Sequence, residues 1–322
     1  MSVTITGLGA HAPERVLDNA ELETLVDTSD EWIIERTGIR ERRIAAPSEA
    51  LSDLAFPAAE KALAQAGLTG KDIDLLIVAT VTPDMSFPAT AVILADKLGA
   101  SAAGAYDLSA GCTGFMYAVV QAYGMLAGGL GKRALVIGGD LLSRIVDWND
   151  RSTLVLFGDG VGAVVLEASD APGFLAFDLG ADGSGGEHLF LPGSGSRGFE
   201  DPDRLVKMNG REVFKFATRI LVQSAEDTLT QAGATIDDVD VYVPHQANVR
   251  IIEHATKKLG IPSDRVVINV DRYGNTSSGS IPLALAEAQA AGRLQPGKLV
   301  LMTGMGAGLT WGSALIRWTL SA

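Results

Sequence analysis

The stretch ALAQAGLTGKDIDLLIVAT at residues 62–80 returns as TLTQAGATIDDVDVYVPHQ at 228–246, an offset of 228 − 62 = 166. Leu63, Gln65, Ala66, Gly67, Thr69, Asp72 and Asp74 match Leu229, Gln231, Ala232, Gly233, Thr235, Asp238 and Asp240. GKRALVIGG (131–139) returns as GKLVLMTGM (297–305) at the same offset, and LGA at 8–10 returns at 179–181. YGNTSSG (273–279) falls near the place a second AGCTGF would occupy. Matches in order at nearly constant spacing mark a duplicated unit. The chain therefore reads as two copies of one α/β unit, 1–170 and 171–322.

Within each copy, β-branched runs alternate with Ala- and Leu-rich helical patterns, the signal of α/β layering. DLLIVAT (74–80), RALVIGG (133–139) and GAVVLEA (162–168) have buried-strand length, and LSDLAFPAAEKALAQAGL (51–68) has helical period and stops at Gly67. The glycine-rich segment 182–203 reads as a surface loop of the second copy. So few charges along the core helices suggest two sheets enclosing shared, buried helices. Sites in such folds lie at strand ends and helix N-termini, where the copies meet. Corresponding loops can then bring different side chains to one site.

Composition removes several classes. A formal charge of −13 lacks the basic footprint that nucleic-acid binding needs. One cysteine excludes an internal disulfide and multi-cysteine metal sites. MSVTITGLGAHAPE has no basic n-region before an apolar stretch, so no secretory signal is expected and a reducing, cytoplasmic setting is. Leu108 to Gly131 carries no charge and has the length of a membrane span. Its six glycines, with Ser109, Thr113 and Gln121, favour a helix at the centre of a core instead.

Three residues could carry chemistry. Cys112 follows a strand-like run and opens a helix, where the macrodipole and free N–H groups favour a thiolate. His245 follows the second-copy strand, at a position where the first copy has Ala79. Asn275 opens another helix, where capping would by itself explain an Asn. Each of the three stands at a strand-to-helix junction. His11, His188 and His254 read as surface residues. The turn within GMGAGLTWGSALIRW (304–318) has no helix after it and is a poor phosphate loop, but it could bring backbone N–H groups to a reacting carbonyl.

The motifs DTSDEWIIERTGIRERR (27–43), AGCTGF (110–115), FGDGVGAVVLE (157–167), NGREVFKFA (209–217), VPHQANVRII (243–252), DRYGNTSSGSIPLAL (271–285) and GAGLTWGSALIRW (306–318) run from end to end of the chain. With them the chain resembles the β-ketoacyl-acyl carrier protein synthase III family, initiating condensing enzymes of bacterial fatty-acid synthesis within the thiolase superfamily. The resemblance implies a five-layered αβαβα fold, a homodimer, and condensation of an acyl-CoA primer with malonyl-acyl carrier protein, without metal or cofactor. It implies Cys112 as the acyl-accepting nucleophile, with His245 and Asn275 acting on the malonyl substrate. The N–H groups of Cys112 and Ala307 would form the oxyanion hole. Trp32 and Arg151 would sandwich the CoA adenine, with Arg36 near its phosphates. Phe87 and Leu156 would bound a short acyl pocket, Phe87 reaching into that of the partner subunit. Lys215, Gln246, Asn248 and Arg250 would meet the carrier protein.

Arg211, Lys215 and Arg219, four apart on an expected helix, share a face that could receive an acidic carrier, with Arg250, Lys257 and Lys258 extending it. Met305 stands where many relatives have Phe, and Arg211 where some have Asn. A classical thiolase needs a second cysteine as base, which is absent. A papain-type hydrolase shares the residue types but not the duplicated architecture. A secondary-metabolism relative with another acceptor is the strongest rival, and Asn275 favours condensation over it. The primer itself is left open, because starters differ by a methyl or two.

Overall fold

In the computed structural model, which describes residues 2–198 and 200–321, the repeat becomes two sheets of one design. The first has the strand order Ser2–His11, Asp159–Ser169, Arg133–Leu141, Leu75–Ala79, Gly104–Leu108. The second runs Phe174–Ala181, Thr310–Arg317, Leu299–Gly306, Val241–Pro244 in the corresponding order. Its fifth strand has shrunk to one parallel bridge between Tyr242 and Val266, where the first half pairs Leu75–Ala79 with Gly104–Leu108 in parallel. The short copied motifs coincide too. Thr69 and Thr235 each begin a single 3₁₀ turn whose third residue, Asp72 or Asp238, bonds back to the threonine N–H at 2.8 Å.

Strand alternation sets the layers. Leu75, Ile77, Ala79, Ala134 and Val136 face a central core, as do Val300 and Met302 of the second sheet. Leu76, Val78, Leu135 and Ile137 face outward against the helix Leu51–Ala66. Leu301 and Leu315 do the same in the second half, against Gly210–Ala232 and Val249–Leu259. Helices Gly114–Ala127 and Ser280–Ala290 fill the central layer between the sheets. This is the expected five-layered thiolase-like αβαβα stack.

The uncharged stretch from Leu108 is the turn and helix of that layer, buried through Phe115, Met116, Val119 and Ala122. Among the described residues no helix is long and apolar enough to cross a membrane. His11, read from sequence as a surface residue, ends the first strand and is half-buried. The glycine-rich segment is not wholly a surface loop. It folds into a 3₁₀ turn at Gly183–His188 and a two-residue strand, Leu189–Phe190, paired with Lys207–Met208.

Candidate active site

Cys112 occupies the 3₁₀ turn Gly111–Thr113 that leads into the central helix Gly114–Ala127. Gly111 turns the chain at φ +57°, and a Cβ there would lie 2.9 Å from the backbone N of Ala307. A Cβ on Gly306 would come within 2.6 Å of the Cys112 N. Only glycine at both positions lets the turn and the strand end approach so closely. As a result the N–H groups of Cys112 and Ala307 converge on the Cys112 sulfur.

Burial pushes the Cys112 thiol up to about 11, opposed by the neighbouring Ser277 hydroxyl and those two N–H groups, while the Asp140 carboxylate pushes it further up. The thiolate favoured by a helix N-terminus is therefore not the resting form. Desolvation outweighs the local donors.

His245 continues the second-half strand, its N–H donating to Thr303 O at 2.7 Å. Its ring is buried, and burial lowers its pKa to about 4, so it is neutral near pH 7. Nδ1 lies 2.5 Å from Ser280 Oγ, whereas Nε2 is buried with no hydrogen-bond partner among the described residues. Asn275 Oδ1 accepts the Ser277 N–H at 2.8 Å, which fixes which end of the amide is free. Its backbone pairs with Phe157 and Leu156 across the halves.

Two cavities meet at Cys112. One is almost wholly apolar, lined by Val81, Leu142, Ile145, Val146, Phe157 and Leu189, among others. The other holds His245, Asn275, Asn248, Met305, Phe214 and Leu156. Cys112, His245 and Asn275 thus share one chamber, with Met305 in its wall.

Several expected site residues stand elsewhere. Leu156, in the turn after the short helix Arg151–Leu154, lines the His245 chamber and not the apolar cavity, whereas the next residue, Phe157, lines both. Phe87 is 85% exposed and lines neither cavity of its own chain. Gln246 is buried and cannot meet a carrier protein. Its amide nitrogen donates to Pro244 O and Val267 O, and its Oε1 accepts the N–H groups of Asn269 and Val270. Asn248 caps the helix Val249–Leu259 through the Arg250 N–H and donates to Arg36 O.

Arg151 and Arg36 both lie over the half-buried Trp32 ring, at 5.2 and 5.6 Å from its centroid, and Arg151 also donates to Asp27 O. Arg211, Lys215 and Arg219 are exposed on one face of Gly210–Ala232, with Lys215 paired to Glu212 at 2.7 Å. Arg250 stacks over Phe214 at 5.7 Å, which brings its charge to the chamber lining.

Two features had no sequence signal. Asp140, fully buried, accepts hydrogen bonds from Thr80, Val81 and Thr82 of one half and Ser278 of the other. Leu189, Phe190 and Leu191 bring the glycine-rich segment into the apolar cavity wall. Ser277 matches Gly111 at the 166 offset and shares its left-handed backbone, φ +52°.

Residues 106–183 match the family model 3-Oxoacyl-[acyl-carrier-protein (ACP)] synthase III, and 229–318 match its C-terminal counterpart. A beta-ketoacyl-[acyl-carrier-protein] synthase III of Symbiobacterium thermophilum is 55% identical, the alignment covering 98% of each chain. The crystal structure of 3-oxoacyl-[acyl-carrier-protein] synthase III from Aquifex aeolicus superposes with TM-score 0.94 at 46% identity, covering 98% of this chain and all of that one. The priming β-ketosynthase of the R1128 polyketide biosynthetic pathway superposes with TM-score 0.95 at 37% identity, covering all of this chain and 97% of that one. The chain belongs to the β-ketoacyl-acyl carrier protein synthase III family, condensing acyltransferases of fatty-acid biosynthesis with the thiolase fold.

Proposed function

We propose that this enzyme condenses a short acyl-CoA with malonyl-acyl carrier protein through an acyl-Cys112 intermediate. The observation that carries the reading is the meeting, at one sulfur, of an apolar cavity and a chamber holding two neutral donors. An acyl chain fits the first, and a thioester arm with a carboxylate to lose fits the second.

In the first half-reaction the Cys112 sulfur bonds to the acyl carbonyl carbon and the bond to the CoA sulfur breaks. The thiol proton leaves with CoA. The carbonyl oxygen takes its developing charge toward the Cys112 and Ala307 N–H groups. In the second, malonyl-acyl carrier protein loses CO₂, and the electron pair of that C–C bond forms an enolate. The His245 Nε2 and Asn275 Nδ2 protons stabilise the enolate oxygen, and neither donor has to ionise. The enolate carbon then bonds to the acyl-cysteine carbonyl carbon and expels the Cys112 thiolate, which takes a proton from solvent to restore the resting thiol. A thiolate is a good nucleophile and a good leaving group, which suits both steps.

The CoA adenine stacks on Trp32, and Arg151 swings off that ring to admit it. Arg36 holds the phosphates, while Lys215 and Arg250 meet the acidic carrier. The halves 1–170 and 171–322 supply the nucleophile and the two donors respectively. In the homodimer, the exposed Phe87 closes the partner's acyl pocket. Both substrates are cytoplasmic, and this reading places the protein there.

Incubation with acetyl-, isobutyryl- and longer acyl-CoA, followed by intact-mass measurement, tests this. An acyl adduct that disappears in Cys112→Ala, and that malonyl-acyl carrier protein discharges as a 3-oxoacyl product, is expected. No adduct with any primer overturns the reading, and an adduct that only another acceptor discharges points to secondary metabolism.

A further inference from the structure

We propose that Ser280 is a positioning residue that holds His245 as its Nε2–H tautomer, so that the ring presents a proton rather than a lone pair to the malonyl thioester oxygen. The inference rests on the assignment of His245 to the malonyl half-reaction, and names the group that makes the ring fit for it.

A neutral imidazole has one donor and one acceptor nitrogen, and the partner of one nitrogen decides what the other offers. Ser280 Oγ has two hydrogen-bonding neighbours among the described residues. The Gln246 N–H, at 3.4 Å, only donates to it. His245 Nδ1, at 2.5 Å, is then the one acceptor for the hydroxyl proton. The hydroxyl must donate to Nδ1, so the ring proton sits on Nε2. That atom is buried and has no partner among the described residues, yet the ring lines the Cys112 chamber. A buried N–H without an acceptor is costly, and such orphans in native structures call for an explanation. A substrate oxygen supplies one.

The duplication supports the pairing. At the 166 offset Ser280 corresponds to Gly114 and His245 to Ala79. A Cβ at Gly114 would touch the Ala79 Cβ at 3.1 Å, so these two positions adjoin in both halves. One half fills the pair with Gly and Ala, which carry no polar side chain. The other fills it with a hydroxyl and an imidazole in hydrogen-bond contact.

The chain has four histidines, so ¹⁵N-histidine NMR resolves the tautomer directly, with His245→Asn assigning the resonance. At pH 7 wild type is expected to show Nε2 protonated and Nδ1 bare, and a Nδ1–H tautomer overturns the proposal. Ser280→Ala is expected to lower malonyl-acyl carrier protein decarboxylation by about 100-fold, the lower end of the ~10²–10³-fold scale of losing one aligned donor. Acylation of Cys112 by acyl-CoA should stay within about twofold, and Ser280→Thr, which keeps the hydroxyl, should recover part of the loss. Equal loss in both half-reactions, or none in either, also overturns it. The wild-type spectrum decides even if a variant misfolds. If His245→Asn leaves decarboxylation intact, the assignment of His245 fails instead, and the tautomer result still stands.

Discussion

Cys112 as a thiol and His245 as an uncharged ring describe a resting site that carries no charge on its reacting groups near pH 7. Both states follow from burial, which disfavours the ionised form of either residue. For His245 this has a thermodynamic consequence. Unfolded, the ring titrates near 6.5; folded, near 4. Between these values the unfolded chain binds the extra proton, so the stabilisation is present above pH 6.5 and drains away as pH falls toward 4. Urea denaturation at pH 7 and pH 5 should show wild type losing about 2 kcal/mol more over that interval than His245→Asn. Identical losses would show that the ring is not held neutral by burial. The three central residues were legible because each breaks the symmetry of a repeat or opens a helix. Gln246 was not, because sequence does not show which way a side chain points. Its neighbour His245 faces the chamber, while Gln246 spends all four of its hydrogen bonds on backbone.

Among elements, the 3₁₀ turns 111–113 and 277–279 do the corresponding work in the two halves with different residues. The left-handed residue is Gly111 in one and Ser277 in the other. The next position is the nucleophile in one, and in the other Ser278, which donates to Ala79 O and Asp140. The repeat made this pairing of turns readable. The inward fold of 189–191 was not, since its Gly, Ser and Asp content reads as a solvated loop whatever it covers. The helix Gly210–Ala232 displays its basic face at the four-residue spacing expected. Reversing charge with Lys215→Glu and Arg250→Glu together should raise KM for malonyl-acyl carrier protein about tenfold and flatten its salt dependence, because exposed charges act through screened attraction. KM for acyl-CoA should not move. Steady-state kinetics with each substrate varied in turn checks this, and an equal rise in both KM values rejects the docking face.

For the whole molecule the question is whether two copies of one unit behave as two domains. Helix Ser280–Ala290 of the second half packs into the same central core as Val164 and Leu166 of the first sheet, so neither copy owns a complete core. Asp140 adds a polar tie across the join. One carboxylate oxygen takes Thr80 Oγ1, Val81 N, Thr82 N and Thr82 Oγ1, and the other takes Ser278 N and Ser278 Oγ. Removing an acceptor strands its buried donors, at about 1–3 kcal/mol for each that finds no other partner. The three hydroxyls can rotate to other acceptors and the Thr82 N–H keeps Thr80 Oγ1 at 3.0 Å, but the Val81 and Ser278 N–H groups have no second acceptor among the described residues. Asp140→Ala should therefore cost on the order of 4 kcal/mol, and Asp140→Asn, which keeps one oxygen, less. Because the core is shared, both variants should unfold in one transition at a lower denaturant midpoint, with tryptophan fluorescence and circular dichroism coincident. If Asp140→Ala instead splits the transition in two, the copies are separate folding units. The active site would then lie at a domain interface rather than within one core.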